Sequence, residues 1–169
     1  MDALQCIMTR RAVRAYTKGE VSDEQIKVML EAAMMAPSAG NSQTWRFIVI
    51  RDRDTLKNII KIHPHATMLN DCAAAIVVCA DTTKERYPGY WVQDCSAAMQ
   101  NLMLAAHAQG LGSVWLGVWT VQDRVDGLID LFKLPDGVLP LSIASIGVPA
   151  GTPAQPQRWD ESKVHWEKW

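Results

Sequence analysis

Arg10, Arg11 and Arg14 fall within the short run Thr9-Arg-Arg-Ala-Val-Arg-Ala-Tyr16, close enough to act on one ligand. If the run is extended, Arg10, Ala12 and Arg14 point one way while Arg11 and Val13 point the other. If it is helical, Arg10 and Arg14 still share a face one turn apart. Either geometry brings two guanidinium groups together. Each can form forked, charge-assisted bonds to a phosphate, at about 1.5–3 kcal/mol apiece. Taken alone, the run also reads as the cationic end of a first helix, and basic clusters are more often solvated faces than sites.

A second stretch, Ala36-Pro-Ser-Ala-Gly-Asn-Ser-Gln-Thr-Trp45, lies between a helical pattern and an apolar strand. It is longer and richer in polar side chains than a plain reversal needs. Ser38 offers a hydroxyl and Asn41 and Gln43 offer carboxamides, while the small residues let backbone approach a flat ligand. The plainer reading is a long turn in which Asn41 and Gln43 tie up loose backbone groups. A third stretch, Ser113-Val-Trp-Leu-Gly-Val-Trp119, puts Gly117 where a strand ends and a helix follows. That is a usual place for ligand contact in α/β sheets, and also where a turn can require glycine. Together the three suggest a site for something planar and phosphorylated.

No triad or paired-carboxylate signature accompanies these stretches, so no side-chain nucleophile is expected. His63-Pro-His65 offers two metal ligands without a convincing third, and no metal is expected. Cys6, Cys72, Cys79 and Cys95 show neither a Cys-x-x-Cys pair nor zinc-ribbon spacing, and read as free thiols of a reducing cytoplasm. Charges nearly cancel, 17 basic against 18 acidic, which argues against nucleic acid as a partner. No apolar run reaches the roughly 18–20 residues of a membrane span, and no signal-peptide core is seen, so a cytoplasmic protein is expected.

The elements that must position these residues follow from periodicity. Residues 2–9 form a short helix, and Ser22 opens a Ser-x-x-Gln capping box for a helix that Pro37 stops. Strands are expected at 47–50, 75–80, 113–118 and 141–148, and helices at 54–62, 94–109 and 121–132. The 94–109 helix, nearly uncharged after Asp94, is expected to be central, with Gly110 ending it. With 169 residues, 49% of them hydrophobic, the chain suits one domain, 1–169, of α/β or α+β class. Trp159, Trp166 and Trp169 crowd the C-terminal end, where a solvated tail has no use for indoles. That segment is expected to pack against its own domain or a partner subunit.

In their order, Thr9-Arg-Arg-Ala-Val-Arg-Ala-Tyr16, Ala36-Pro-Ser-Ala-Gly-Asn-Ser-Gln-Thr-Trp45, Ala97-Ala-Met-Gln-Asn-Leu-Met-Leu-Ala-Ala106 running into Gly110-Leu-Gly-Ser-Val-Trp-Leu-Gly117, and Ile146-Gly-Val-Pro149 give the chain a family likeness. It resembles the nitroreductase superfamily of FMN-dependent oxidoreductases, in its short-chain branch. The resemblance implies an α+β, three-layer α/β/α sandwich with a central mixed sheet, forming a homodimer with FMN at the subunit interface. It implies that Arg10, Arg11 and Arg14, joined by Arg158, hold the FMN phosphate and ribityl oxygens. Pro37, Ser38, Ala39 and Asn41 would line the ring from the other subunit, and Leu116 and Gly117 would present backbone groups near its reactive N5. Gln43 and His65 are weaker candidates, for the ring or ribityl region and the ribityl chain respectively.

The chain departs from the pattern at Ala12, where the family usually has a hydroxyl, and at Thr44, where it usually has proline. The implied activity is hydride transfer from NADH or NADPH through FMN to a small electron-poor acceptor, such as a nitroaromatic or quinone, by a ping-pong cycle. Alternatives are a non-catalytic flavin carrier or regulatory module, and a reductive dehalogenase-type or flavin-consuming enzyme.

Overall fold

The strand Ala74–Asp81 is buried on both faces for nearly its whole length, and the rest of the fold is arranged to cover it. The computed structural model describes residues 1–169. In chain order its elements are α1 (Ala3–Thr9), β1 (Tyr16–Thr17), α2 (Asp23–Met34), β2 (Trp45–Ile50), α3 (Arg53–Ile62), β3 (Ala74–Asp81), α4 (Trp91–Ala108), β4 (Gly112–Gly117), α5 (Gln122–Phe132) and β5 (Val138–Pro149). The sheet runs β2-β3-β5-β4, with β1 pairing the far end of β5, and every ladder is antiparallel. The parallel component is a single bridge between Ala12 and Ser113.

Strand alternation sorts β3 between two cores. Ala74, Ile76, Val78 and Ala80 pack with Met29 and Ala33 of α2 and with Cys95, Met99 and Leu102 of α4. Ala75, Val77 and Cys79 pack on the other side with Leu56 and Ile59 of α3 and Val125 and Leu128 of α5. Helices thus cover both faces of one sheet, giving the expected three layers. A bulge opposite Val78 and Cys79 shifts the alternation in β5, so Leu141 joins the same core as Ala144 and Ile146.

The expected α2 capping box is present, with Ser22 and Gln25 each accepting the other's backbone N–H. Three boundaries differ from the sequence expectation by more than one residue. α4 begins at Trp91 rather than 94, because the Glu85 carboxylate accepts the Trp91 N–H. β2 begins at Trp45 and β5 at Val138, both extended by pairing with the ends of β3. β1 is a further strand, too short for periodicity to reveal.

The end of α4 matters most for the site. Gly110, at φ +77°, closes a Schellman turn in which Leu111 N–H donates to Ala106 O and Gly110 N–H to His107 O. This turn feeds the chain directly into β4, which runs back along α4.

Candidate functional site

The arginine run is fixed against the C-terminal end of α4 and the outer edge of β4. Cys6 Sγ donates to Leu104 O, and Thr9 Oγ1 lies 2.8 Å from His107 Nε2. Because the Thr9 hydroxyl donates to Gln5 O, His107 must be the donor of that pair, through Nε2–H. Val13 N–H donates to Ser113 O at 2.9 Å, beside the Ala12–Ser113 bridge. Gly112 makes this approach possible, since a Cβ there would lie 2.7 Å from Val13 Cγ1. Tyr16 locks the end of the run: its hydroxyl lies 2.9 Å from Val13 O and 2.6 Å from Ser145 Oγ, and burial pushes its pKa up to about 12.

Held this way, the arginines crowd one another. Burial, then the charges of Arg158 and Arg11, lower the Arg10 pKa. Burial, then Arg10 and Arg11, lower that of His107. The protein's ion pairs are all elsewhere, so Arg10, Arg11, Arg14 and Arg158 face no carboxylate. Arg11 donates to Arg10 O at 2.6 Å, and its Nε is buried without a partner. A cavity of about 230 Å³ opens here, lined by Thr9, Arg11, Val13, His107 and Gly112 among others. Arg14 is exposed and borders a neighbouring hollow with Ala150 and Thr152. Clustered cations without a counter-charge repel each other, and an anion would relieve that repulsion.

β4 continues from this end as an open edge. Ser113 O points outward to Val13, and antiparallel alternation turns the N–H and C=O of Trp115 and Gly117 to the same side. Ser113 and Gly117 are four residues apart, ~13 Å along an extended strand. Leu116 has its side chain in the second core, whereas Gly117 is exposed, and a Cβ there would meet nothing within 4 Å. At Gly117 the edge therefore carries no side chain of its own, which leaves room for a flat group beside its backbone.

The 36–45 loop sits elsewhere, at the N-terminal end of α4. Asp94, 4% exposed, accepts the Ala39 N–H at 3.0 Å. Ser38 Oγ accepts the Gln43 N–H, Ser42 Oγ donates to Ala39 O, and Gln43 Nε2 donates to Asn41 Oδ1. Asn41 and Gln43 hold φ of +56° and +48°, a left-handed conformation that few non-glycine residues adopt. Asp94 and His107 are thirteen residues apart on α4, or ~20 Å at 1.5 Å per residue. The register row Phe47–Val78–Ser142–Gly117 puts the loop's strand at the opposite edge from β4. Three strand spacings separate those edges, ~14 Å.

One copy of the chain thus gathers Arg10, Arg11 and Arg158, with Arg14, Leu116 and Gly117 along the same edge. Pro37, Ser38, Ala39, Asn41 and Gln43 belong to a separate group. His65 is exposed, its ring 6.2 Å from that of His63. Sequence reasoning missed His107, a lone histidine in a helix with no spacing signal. It also missed Arg124 and the actual role of His63, which both bond to Gly117 O, at 2.8 and 3.0 Å. The His63 contact is long-range, Arg124 reaches back only from the first turn of α5 to the end of β4, and no periodic pattern announces either.

Helices thus cover both faces of a sheet whose open β4 edge runs beside an unneutralised arginine cluster. The nitroreductase family profile matches residues 7–70 and 63–148, and the chain belongs to that family. It is 47% identical over 169 residues to a Methanothermobacter thermautotrophicus protein provisionally named an NADH dehydrogenase/NAD(P)H nitroreductase, covering 100% of this chain and 88% of that one. Its fold matches an FMN-dependent nitroreductase of Clostridium difficile R20291 with a TM-score of 0.91, at 29% identity over 98% of this chain and 99% of that one. A nitroreductase-like protein of Desulfovibrio desulfuricans, solved in complex with FMN, matches with a TM-score of 0.86 and 30% identity, over 98% and 96% of the two chains. No helix is long and apolar enough to cross a membrane.

Proposed function

We propose that this chain is an FMN-dependent NAD(P)H oxidoreductase that delivers electrons to a small electron-poor acceptor such as a nitroaromatic or a quinone. The observation that carries this reading is the group Arg10, Arg11 and Arg158, mutually repelling and without any carboxylate partner. A phosphate dianion is the counter-charge such a group lacks, and the unpartnered Arg11 Nε fits the same requirement. Arg10, Arg11, Arg14 and Arg158 hold the phosphate and ribityl oxygens. The Gly117 backbone faces the ring edge, whereas antiparallel pairing turns the Leu116 N–H and C=O toward Ile143 of β5, and Ala12 contributes no hydroxyl. When bound, FMN supplies hydride chemistry between a reduced nicotinamide and the acceptor in alternate, ping-pong half-reactions, so no side-chain nucleophile is required.

The loop residues Pro37, Ser38, Ala39, Asn41 and Gln43 reach this site from a second copy of the chain, which covers the ring and excludes water. Two observations support a homodimer. The loop is ~20 Å from its own arginine cluster along α4, too far to close over a ligand held there. The chain also leaves large apolar side chains uncovered: Leu4, Ile7 and Met8 on α1, Val28 and Met34 on α2, and Trp159, Trp166 and Trp169 in the C-terminal segment. Trp159, Trp166 and Trp169 are 80%, 81% and 101% exposed, so their own domain does not bury them. A partner subunit would.

The deciding measurement is the absorbance spectrum of the purified protein before and after anaerobic NADH and NADPH. Flavin bands near one per chain that bleach with either nucleotide on a catalytic timescale are expected. A protein that holds flavin but resists both nucleotides is a carrier and not a reductase. One that is colourless and refuses added FMN overturns the reading altogether.

A further inference from the structure

Two side chains that the functional reading leaves unused converge on the Gly117 carbonyl. Gly117 O accepts from Arg124 Nη1 at 2.8 Å and lies 3.0 Å from His63 Nε2. His63 comes from the end of α3 and Arg124 from the first turn of α5, so two separate elements meet on one carbonyl. A carbonyl can only accept, which fixes His63 as the Nε2–H tautomer. His63 is 3% exposed and its Nδ1 is buried without a partner, so the imidazole is held there at some cost in unsatisfied polarity.

The chemistry of the β4 edge gives that cost a purpose. In an antiparallel strand the N–H and C=O of one residue point to the same side, so Gly117 offers a donor and an acceptor to the open edge. An oxidised flavin edge is rich in acceptors and would be repelled by a bare carbonyl beside the N–H it needs. Two donors on that carbonyl cancel its negative end, and Arg124 adds a positive charge. Gly117 has no side chain to hold its peptide planes, so without the pair its backbone would be free to turn.

We propose that His63 and Arg124 are positioning residues: they clamp the Gly117 carbonyl, leave its N–H as the group offered to the flavin edge, and make that edge electropositive. The inference rests on the FMN reading above. Because a reduced flavin carries more negative charge than an oxidised one, the clamp favours the reduced cofactor.

The test is an anaerobic redox titration of holoprotein against a reference dye, paired with FMN dissociation constants from fluorescence. In Arg124→Gln, which keeps a donor but loses the charge, reduced FMN is expected to bind about tenfold less tightly relative to oxidised FMN. For this two-electron couple that is a fall of about 30 mV in the midpoint potential. Arg124→Lys restores most of it. His63→Gln, which keeps a donor at the same carbonyl, shifts the potential less than Arg124→Gln and weakens both redox states together. A folded Arg124→Gln protein with an unchanged potential overturns the inference and leaves the FMN reading standing. A wild-type protein that binds no FMN overturns both.

Discussion

At the N-terminal end of α4 the 36–45 loop answers its own polar groups, with Ser38 on Gln43, Asn41 on Gln43 and the buried Asp94 on Ala39. At the C-terminal end of the same helix, Arg10, Arg11 and Arg158 face one another and no acid. The loop bonds most of its own polar groups, although Thr44 Oγ1 is buried without a partner, whereas the arginine cations meet no counter-charge. Binding energy for an anionic cofactor therefore resides at the arginines, and the loop contributes a preformed wall in which Gln43 Nε2 already bonds Asn41 Oδ1. On this view Ser38, Asn41 and Gln43 shape a surface, and the arginines choose what binds.

The sharpest way to break that contrast is to remove charge. Arg10→Ala combined with Arg14→Ala deletes two charge-assisted phosphate contacts, about 3–6 kcal/mol together. FMN affinity should fall by ~10²–10⁴-fold, while riboflavin, which keeps the ribityl oxygens but lacks the phosphate, should lose far less. Fluorescence titrations with both flavins check this. FMN binding that survives the double change unaltered would move the phosphate elsewhere.

Asp94→Ala strikes the other end. It removes the carboxylate that accepts the Ala39 N–H and leaves that donor without its partner. The loss should be about 1.5–3 kcal/mol of stability, read from urea unfolding. Because the loop is a wall for the ring, FMN and riboflavin affinities should drop by the same factor. A larger loss for FMN than for riboflavin would bring the loop into the phosphate site and dissolve the contrast.

The two ends also differed in how far the sequence revealed them. The Ser22 capping box, Gly110 at the end of α4 and the strand at 75–80 are local patterns, and the fold realises each one. What remained hidden depends on contacts between distant residues. The meeting of His107 with Thr9, and of His63 with Arg124 on Gly117 O, is created by how α1, α3, α4 and α5 pack. The early start of α4 at Trp91 hangs on one Glu85 carboxylate, which hydrophobic periodicity does not register. His63-Pro-His65 looked like two candidate metal ligands, yet His63 is held by a backbone carbonyl. That Ser38 Oγ takes the Gln43 N–H and Asn41 Oδ1 takes Gln43 Nε2 within the loop is likewise something composition does not announce.

The smallest expected effect probes the same contrast through protons. Both His107 and His63 have pKa values lowered from 6.5, in each case first by burial, so the folded protein holds fewer protons on them than the unfolded chain does. Their neutral forms contribute stability that is present above about pH 6.5 and lost as pH falls through the lowered values. The second cause separates them: Arg10 and Arg11 act on His107, whereas Arg124 acts on His63. An anion at the arginine cluster screens the first and leaves the second. Thermal unfolding from pH 7.5 down to 5, with and without saturating inorganic phosphate, should therefore show a decline in stability that phosphate partly removes. His107→Gln should abolish the part that phosphate removes and keep the remainder. If phosphate leaves the slope untouched in the wild-type protein, the anion does not sit beside His107, and the arginine end is merely a charged surface.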